Sequence, residues 1–259
     1  MHFWEDGGGM IDGCEVIDFH GHVGSWDHIG MIDDANTMLR TMDAAGIDRA
    51  CLFNIFDADS RVSNDRTIAF TSRYPDRFIP FAYIWPEGGA DTMVAEAKRS
   101  IDELGCKAFK TYPPHTTFTL ADRRWDPLYE FVQERGLTLI THTSSEWQSY
   151  PEYLGEVARR FPGANFVAGH SGNVLEYRNQ AIEAARAYPN FYLETCSTFR
   201  TPGVIEQLVR EGGADRVLFG SDLPLMDPRS QIGKVITADL SDEDKRRVLG
   251  ENAKRLLGL

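Results

Sequence analysis

The chain alternates short apolar runs with stretches whose apolar residues recur three and four positions apart. The runs read as strands at 15–22, 49–56, 77–85, 106–112, 137–143, 165–171, 190–196 and 216–222. Their starts lie roughly 25 to 35 residues apart, the length of one strand-plus-helix unit. Helical stripes fill the gaps. Ala35, Met38, Leu39, Met42 and Ala45 share one face before Gly46, and Val94, Ala97, Ile101 and Leu104 precede Gly105. Asp126 reads as an N-cap with Pro127 at the first helical position and Gly136 at the end. Leu154, Val157, Ala158 and Phe161 form a stripe closed by Pro162-Gly163, and Thr201-Pro202 opens a helix that Gly212-Gly213 closes. Ser241 and Asp244 form a capping box for a last helix over 242–257.

Eight strands alternating with eight helices predict an α/β chain with a single (β/α)8 TIM barrel over 15–259. Residues 1–14 read as a leader, with Gly7-Gly8-Gly9 as a joint. A doubly wound open sheet is the main rival. It usually carries a glycine-rich first turn, and "HGHVGSWDHIG" lacks the GxGxxG spacing.

Charge narrows the partners. A formal net charge of -12 over 259 residues disfavours nucleic acid and anionic membrane surfaces. No apolar stretch is long enough for a membrane span, and "MHFWEDGGGM" lacks the basic and apolar regions of a signal peptide. Cys14, Cys51, Cys106 and Cys196 form no CxxC pair, which suits free thiols in a reducing compartment. The expectation is a cytoplasmic protein acting on a small molecule. Sequence leaves a homo-oligomer open.

In a barrel of this kind chemistry gathers at the carboxyl ends of the strands. Those ends supply His20 and His22, Lys110, His142, His170 and Asp222. Side chains two apart on a strand share a face, so His20 and His22 point together, and Asp18 lies one layer deeper as an acceptor for an imidazole. Such a group is costly to bury unpartnered, and a divalent cation would partner it. Nitrogen and carboxylate donors suit Zn2+, Mn2+, Fe2+ or Co2+. Alone, each residue has an ordinary structural reading: an incidental HxH pair, a strand-end lysine, a hydrogen-bonded core histidine, a turn aspartate. The set together points to a metal.

"VIDFHGH", "LITHTS", "AGHSG" and "LFGSDLP", with "MLRTMDAAGIDRA" and the ending "SDEDKRRVLGENAKRLLGL", resemble the amidohydrolase superfamily, and within it the amidohydrolase 2 group of metal-dependent TIM barrels. The resemblance implies that His20, His22 and Asp222 ligate a first metal, with His142 as a further ligand. His170 would be a second-metal ligand or the base beside a metal-bound water, and Asp222 would carry its proton. Zinc is the expected ion: one, or two if Lys110 is carboxylated and bridges them. A plain Lys110 would instead hold a substrate carboxylate. Trp26, His115, Trp147 and Arg200, on long loops after strands, are candidate substrate contacts, or else ordinary loop surface.

The resulting expectation is a hydrolase of a small amide, ester or lactone, attacked by a metal-activated water. The alternative is a zinc-dependent non-oxidative decarboxylase of an aromatic or muconate-type acid, with Lys110 and Arg200 as carboxylate anchors. A metal-dependent nuclease resembling the TatD type fits poorly with the acidic balance.

Overall fold

The computed structural model describes residues 13–26, 30–86, 88–196 and 201–259. Nine strand segments run parallel in two sheets: β1 (Ile17–His22), β2 (Arg49–Phe53) and β3 (Phe78–Pro80) form the first. The second holds β4 (Ala82–Tyr83), β5 (Phe109–Thr111), β6 (Thr138–His142), β7 (Asn165–Gly169), β8 (Phe191–Glu194) and β9 (Val217–Leu218), in that order. The expected third strand is thus split at Phe81. Its amide donates to Leu52 while that of Ala82 donates to Ala108, so one strand changes partners at that residue. The two ends also meet. Phe19 donates to Phe219, Asp222 to His20, and Gly21 and Leu223 form a parallel bridge. The fold is the expected TIM barrel.

Strand parity separates two apolar layers, as a barrel covered by helices requires. Ile17, Phe19, Cys51, Phe53, Ile79, Phe81, Ile140, Val167 and Leu218 fill the interior. Their alternates, among them Leu52, Leu139, Phe166, Leu193 and Val217, pack outward with the helices.

The helices are α1 (Ala35–Ala45), α2 (Ser60–Thr71), α3 (Gly89–Asp102), α4 (Asp126–Glu134), α5 (Pro151–Arg160), α6 (Leu175–Ala187) and α7 (Val204–Gly212). They continue with α8 (Pro228–Ile236), α9 (Asp242–Arg246) and α10 (Asn252–Leu257). Gly46, at φ 68°, stops α1 as expected. Two starts differ from expectation. Asp126 is already helical in α4, after a short turn capped by Asp122, and α7 begins at Val204, beyond Thr201-Pro202. Among the described residues no helix is long and apolar enough to cross a membrane. Of the expected leader, residues 1–12 lie outside the described residues.

The expected last helix is interrupted by a π turn, Arg247–Glu251, which serves the barrel seam. A Cβ on Gly250 would lie 1.9 Å from the Glu15 carbonyl oxygen, so only glycine permits this approach to the chain entering β1. Val248 accepts from the Phe219 amide, and the Asn252 amide group donates to the carbonyls of Ala214 and Val217, each at 2.8 Å. Truncating Asn252 leaves both carbonyls without that donor. Asn252→Ala should therefore lower unfolding free energy by about 2–4 kcal/mol in urea titration.

Candidate active site

Beyond the inner apolar layer, parity continues into polar residues. Lys110 follows Ala108, His142 follows Ile140, and Glu194 follows Tyr192, each two positions further along its strand. In β1 strict alternation from Ile17 and Phe19 would turn His20 away. A bulge between Asp18 and Gly21 inserts one residue against β2 and brings His20 and His22 to the mouth together.

A cavity of about 170 Å³ opens there, lined by His20, His22, Lys110, His142, His170 and Asp222, with Trp26, Ile55, Tyr112, Asn173, Leu225 and Met226 completing the wall. His22 Nε2 lies 2.8 Å from Asp222 Oδ1, and His20 Nε2 lies 3.6 Å from the same oxygen. His20, His22 and Asp222 each offer a donor atom within 4.8 Å of the others, and all are buried. Lys110 Nζ sits 3.2 Å from His20 Nε2 and 4.5 Å from the centre of the Phe53 ring. The His170 ring centre lies 4.9 Å from that of His20 and 4.8 Å from that of His142. His142 Nε2 faces Glu146 Oε2 at 3.3 Å.

The backbone is bent to reach this arrangement. His170 (φ 67°), Ser171 (φ 43°), Asn173 (φ 63°) and Asp222 (φ 67°) adopt positive φ, which costs a non-glycine residue of order 1–3 kcal/mol. Asp222 lies past the end of β9, and its turn is held by its own amide bonded to the His20 carbonyl at 2.8 Å. The His170 turn is clamped by Thr143, whose hydroxyl donates to the Gly169 carbonyl and accepts from the Gly172 amide.

Burial sets the charges. It holds His20, His22, His142 and His170 neutral, His170 down to about 3 with the neighbouring His142 adding to the effect. Neutral imidazoles present the lone pairs a metal requires. Burial also draws Lys110 down to about 8, against the attraction of Asp222. For Asp222 burial works toward the neutral acid, but the His22 hydrogen bond and the Lys110 cation outweigh it and hold the carboxyl below its usual range.

Other expectations need correction. Asp18 orients no imidazole: its carboxylate accepts from the Ser221 hydroxyl and amide and from the His20 amide. Glu194, which the sequence did not single out, takes that place, with Oε2 at 3.1 Å from His20 Nδ1. His115 stands outside the cavity wall, stacked on Trp85 and 3.3 Å from the Tyr83 hydroxyl. It reaches the site through Tyr112, whose ring packs against both His115 and His142. Trp147 is 51% exposed and is not part of the cavity wall, while Arg200 lies outside the described residues. Tyr112 and Asn173 line the cavity without having been marked; parity two positions past Lys110 could have flagged Tyr112.

Thr143→Val keeps the shape of the side chain but removes both bonds at the His170 turn. Exchange of the Gly172 amide with solvent should accelerate about tenfold or more, corresponding to a local loss of about 1–2 kcal/mol.

The comparisons with known proteins agree on the fold, and several of the named relatives are decarboxylases. The curated gamma-resorcylate decarboxylase of Rhizobium radiobacter is 24% identical over 291 residues, covering 88% of each chain. A TIM-barrel protein of uncharacterised function from Bordetella bronchiseptica superposes with a TM-score of 0.78 at 24% identity, covering 94% of this chain and 98% of its own. A dihydroxybenzoic acid decarboxylase from Polaromonas sp., solved with bound manganese and the inhibitor 2-nitroresorcinol, gives a TM-score of 0.76 at 20% identity, covering 95% of this chain and 97% of its own. These names overturn the expectation of a hydrolase and favour its alternative, a decarboxylase. The expected zinc likewise gains no support, since the ion in the Polaromonas protein is manganese. A family model described as amidohydrolase matches residues 17–259, and the chain belongs to that family.

Proposed function

We propose that the protein is a metal-dependent, non-oxidative decarboxylase of a ring-hydroxylated aromatic carboxylic acid. The observation that carries this reading is the buried Lys110 amine, which faces the same cavity as His20, His22 and Asp222. An attacking water does not need such a cation, whereas a substrate carboxylate does. The relative from Rhizobium radiobacter, named for the decarboxylation of gamma-resorcylate, supports the same reading. The cavity volume of about 170 Å³ suits one substituted ring, given that a void of roughly 150 Å³ accommodates benzene.

The donor set fits a divalent cation: two neutral imidazoles and an ionised carboxylate converge on the cavity, and His22 Nδ1 is buried without a hydrogen-bond partner. His20, His22 and Asp222 would hold the ion, with His142 near enough on the cavity wall to join them. The manganese in the Polaromonas protein makes Mn2+ the first ion to test. When bound, the cation supplies positive charge that anchors and polarises substrate oxygens.

The chain's own residues do the rest. Lys110 receives the carboxylate. Tyr112 and Trp26 flank the ring. Asp222, held as its anion by its neighbours, takes the proton of the substrate's ring hydroxyl and delivers it to the ring carbon bearing the carboxylate. The C–C bond then breaks, its electron pair returns to the ring, and CO2 leaves. The ring oxygen then regains a proton from solvent as the product leaves. The free thiols of Cys14, Cys51, Cys106 and Cys196 fit a reducing cytoplasm.

The test is CO2 release from mono- and dihydroxybenzoic acids by Mn2+-loaded protein, beside amides and lactones. CO2 should appear with the former, vanish with chelator and return with Mn2+. Asp222→Asn should lower kcat by about 100-fold or more, and Lys110→Ala should raise KM by about tenfold or more, as expected for loss of a charge-assisted carboxylate contact. Hydrolysis of amides or lactones without CO2 release from any of the acids would refute the proposal.

A further inference from the structure

Glu194 is fully buried at the end of β8 and contacts both halves of the site. Its Oε2 lies 3.1 Å from His20 Nδ1 and accepts from the His170 amide at 2.9 Å, while Oε1 accepts from the Cys196 amide. Its backbone is fixed as well: the Ser171 hydroxyl donates to the Glu194 carbonyl and accepts from the Glu194 amide.

The opposite side of the His20 ring decides the direction of the Glu194 bond. Lys110 Nζ lies 3.2 Å from His20 Nε2. Taken as an ammonium, Lys110 can only donate, which makes Nε2 the accepting nitrogen, leaves the proton on Nδ1 and directs Nδ1–H to Glu194. We propose that Glu194 is the positioning residue that fixes the His20 tautomer and ring orientation, so that the Nε2 lone pair is always presented to the cavity. This inference rests on the metal-dependent reading above for its use, though not for its geometry.

The chain makes room for this contact at some distance in sequence. A Cβ on Gly220 would lie 2.1 Å from Glu194 Oε1 and 2.9 Å from His20 Cβ, so the glycine of "FGSD" is required by the carboxylate, not by its own backbone angles. Asp18 cannot substitute, because its oxygens are engaged with Ser221 and the His20 amide. Since the bonds that hold Glu194 come from backbone amides, the imidazole is oriented before any cation arrives.

The experiment has two arms. In the first, 15N-histidine-labelled, metal-free protein is studied by long-range 1H–15N NMR, with the His20 ring assigned by its loss in His20→Ala. The expected result is a proton on Nδ1, and in Glu194→Ala a mixture of both tautomers. In the second, Mn2+ affinity is measured by competition with a chelator. Glu194→Ala should bind roughly 10- to 100-fold more weakly, and Glu194→Gln, whose amide oxygen can still accept from Nδ1–H, should lie much closer to wild type. A proton on Nε2 of wild-type His20, or Mn2+ binding by Glu194→Ala within about twofold of wild type, overturns the proposal. Wild-type protein that binds no Mn2+ defeats the metal reading instead, and the tautomer arm, which needs neither a metal nor a variant, then decides the role of Glu194. Should Glu194→Ala fail to fold, Glu194→Gln carries the second arm, and a loss there of 100-fold or more counts against the proposal.

Discussion

Everything at the barrel mouth depends on burying titratable groups where they can satisfy only one another. Four imidazoles, an amine and two carboxylates meet in a largely buried space, and a lone buried charge there would cost several kcal/mol. The arrangement avoids that cost by keeping the imidazoles neutral and setting Lys110 against Asp222. Neutral imidazoles beside an ionised carboxylate are also what a cation needs. The electrostatic solution for a stable mouth and the solution for a metal site coincide, so the strained turns at His170 and Asp222 can persist.

Geometry at this site is carried by backbone more than by side chains. The β1 bulge sets the direction of both histidines, the Asp222 amide is tied to the His20 carbonyl, and two further amides hold Glu194. Backbone donors have no rotamers to lose, so little ordering remains to be done when a ligand binds. Under the proposed function, specificity then falls to the residues that are free to differ, the aromatic wall of Trp26 and Tyr112 and the cation Lys110.

Much of this could be read from the chain. The alternation of apolar runs and helical stripes predicted the barrel, because both faces of every strand are covered and each run is therefore apolar throughout. The histidines, Lys110 and Asp222 could be found because strand ends are where a barrel places its chemistry. What stayed hidden lay in register and in contacts distant along the chain. A bulge leaves no mark in "VIDFHGH", so Asp18 was placed on the imidazole face. Glu194, inside "NFYLETC", looks like any strand-end acid until Gly220 and His20 are seen beside it. Trp147 and His115 sit on loops of the right length but are aimed elsewhere, and loop direction follows from packing that spacing does not encode. The choice between hydrolysis and decarboxylation was hidden for another reason: both chemistries use the same ligand set, and the names of the relatives favour the second.

The seam between the first and last strands has a consequence for the order in which the molecule assembles. Phe19 pairs with Phe219, and Asp18 with Ser221, a separation of 203 residues, while the π turn locks Gly250 onto Glu15. During synthesis β1 must wait for the residues around β9 before its free edge is covered. Contacts so distant in sequence carry a large loop-closure entropy and form late. Because His20 and His22 lie on that edge and Asp222 lies across it, the candidate metal site is assembled only when the barrel closes. A chain stalled short of its last strand can fold many of its strand-and-helix units, and still lack the pocket in which its chemistry would take place.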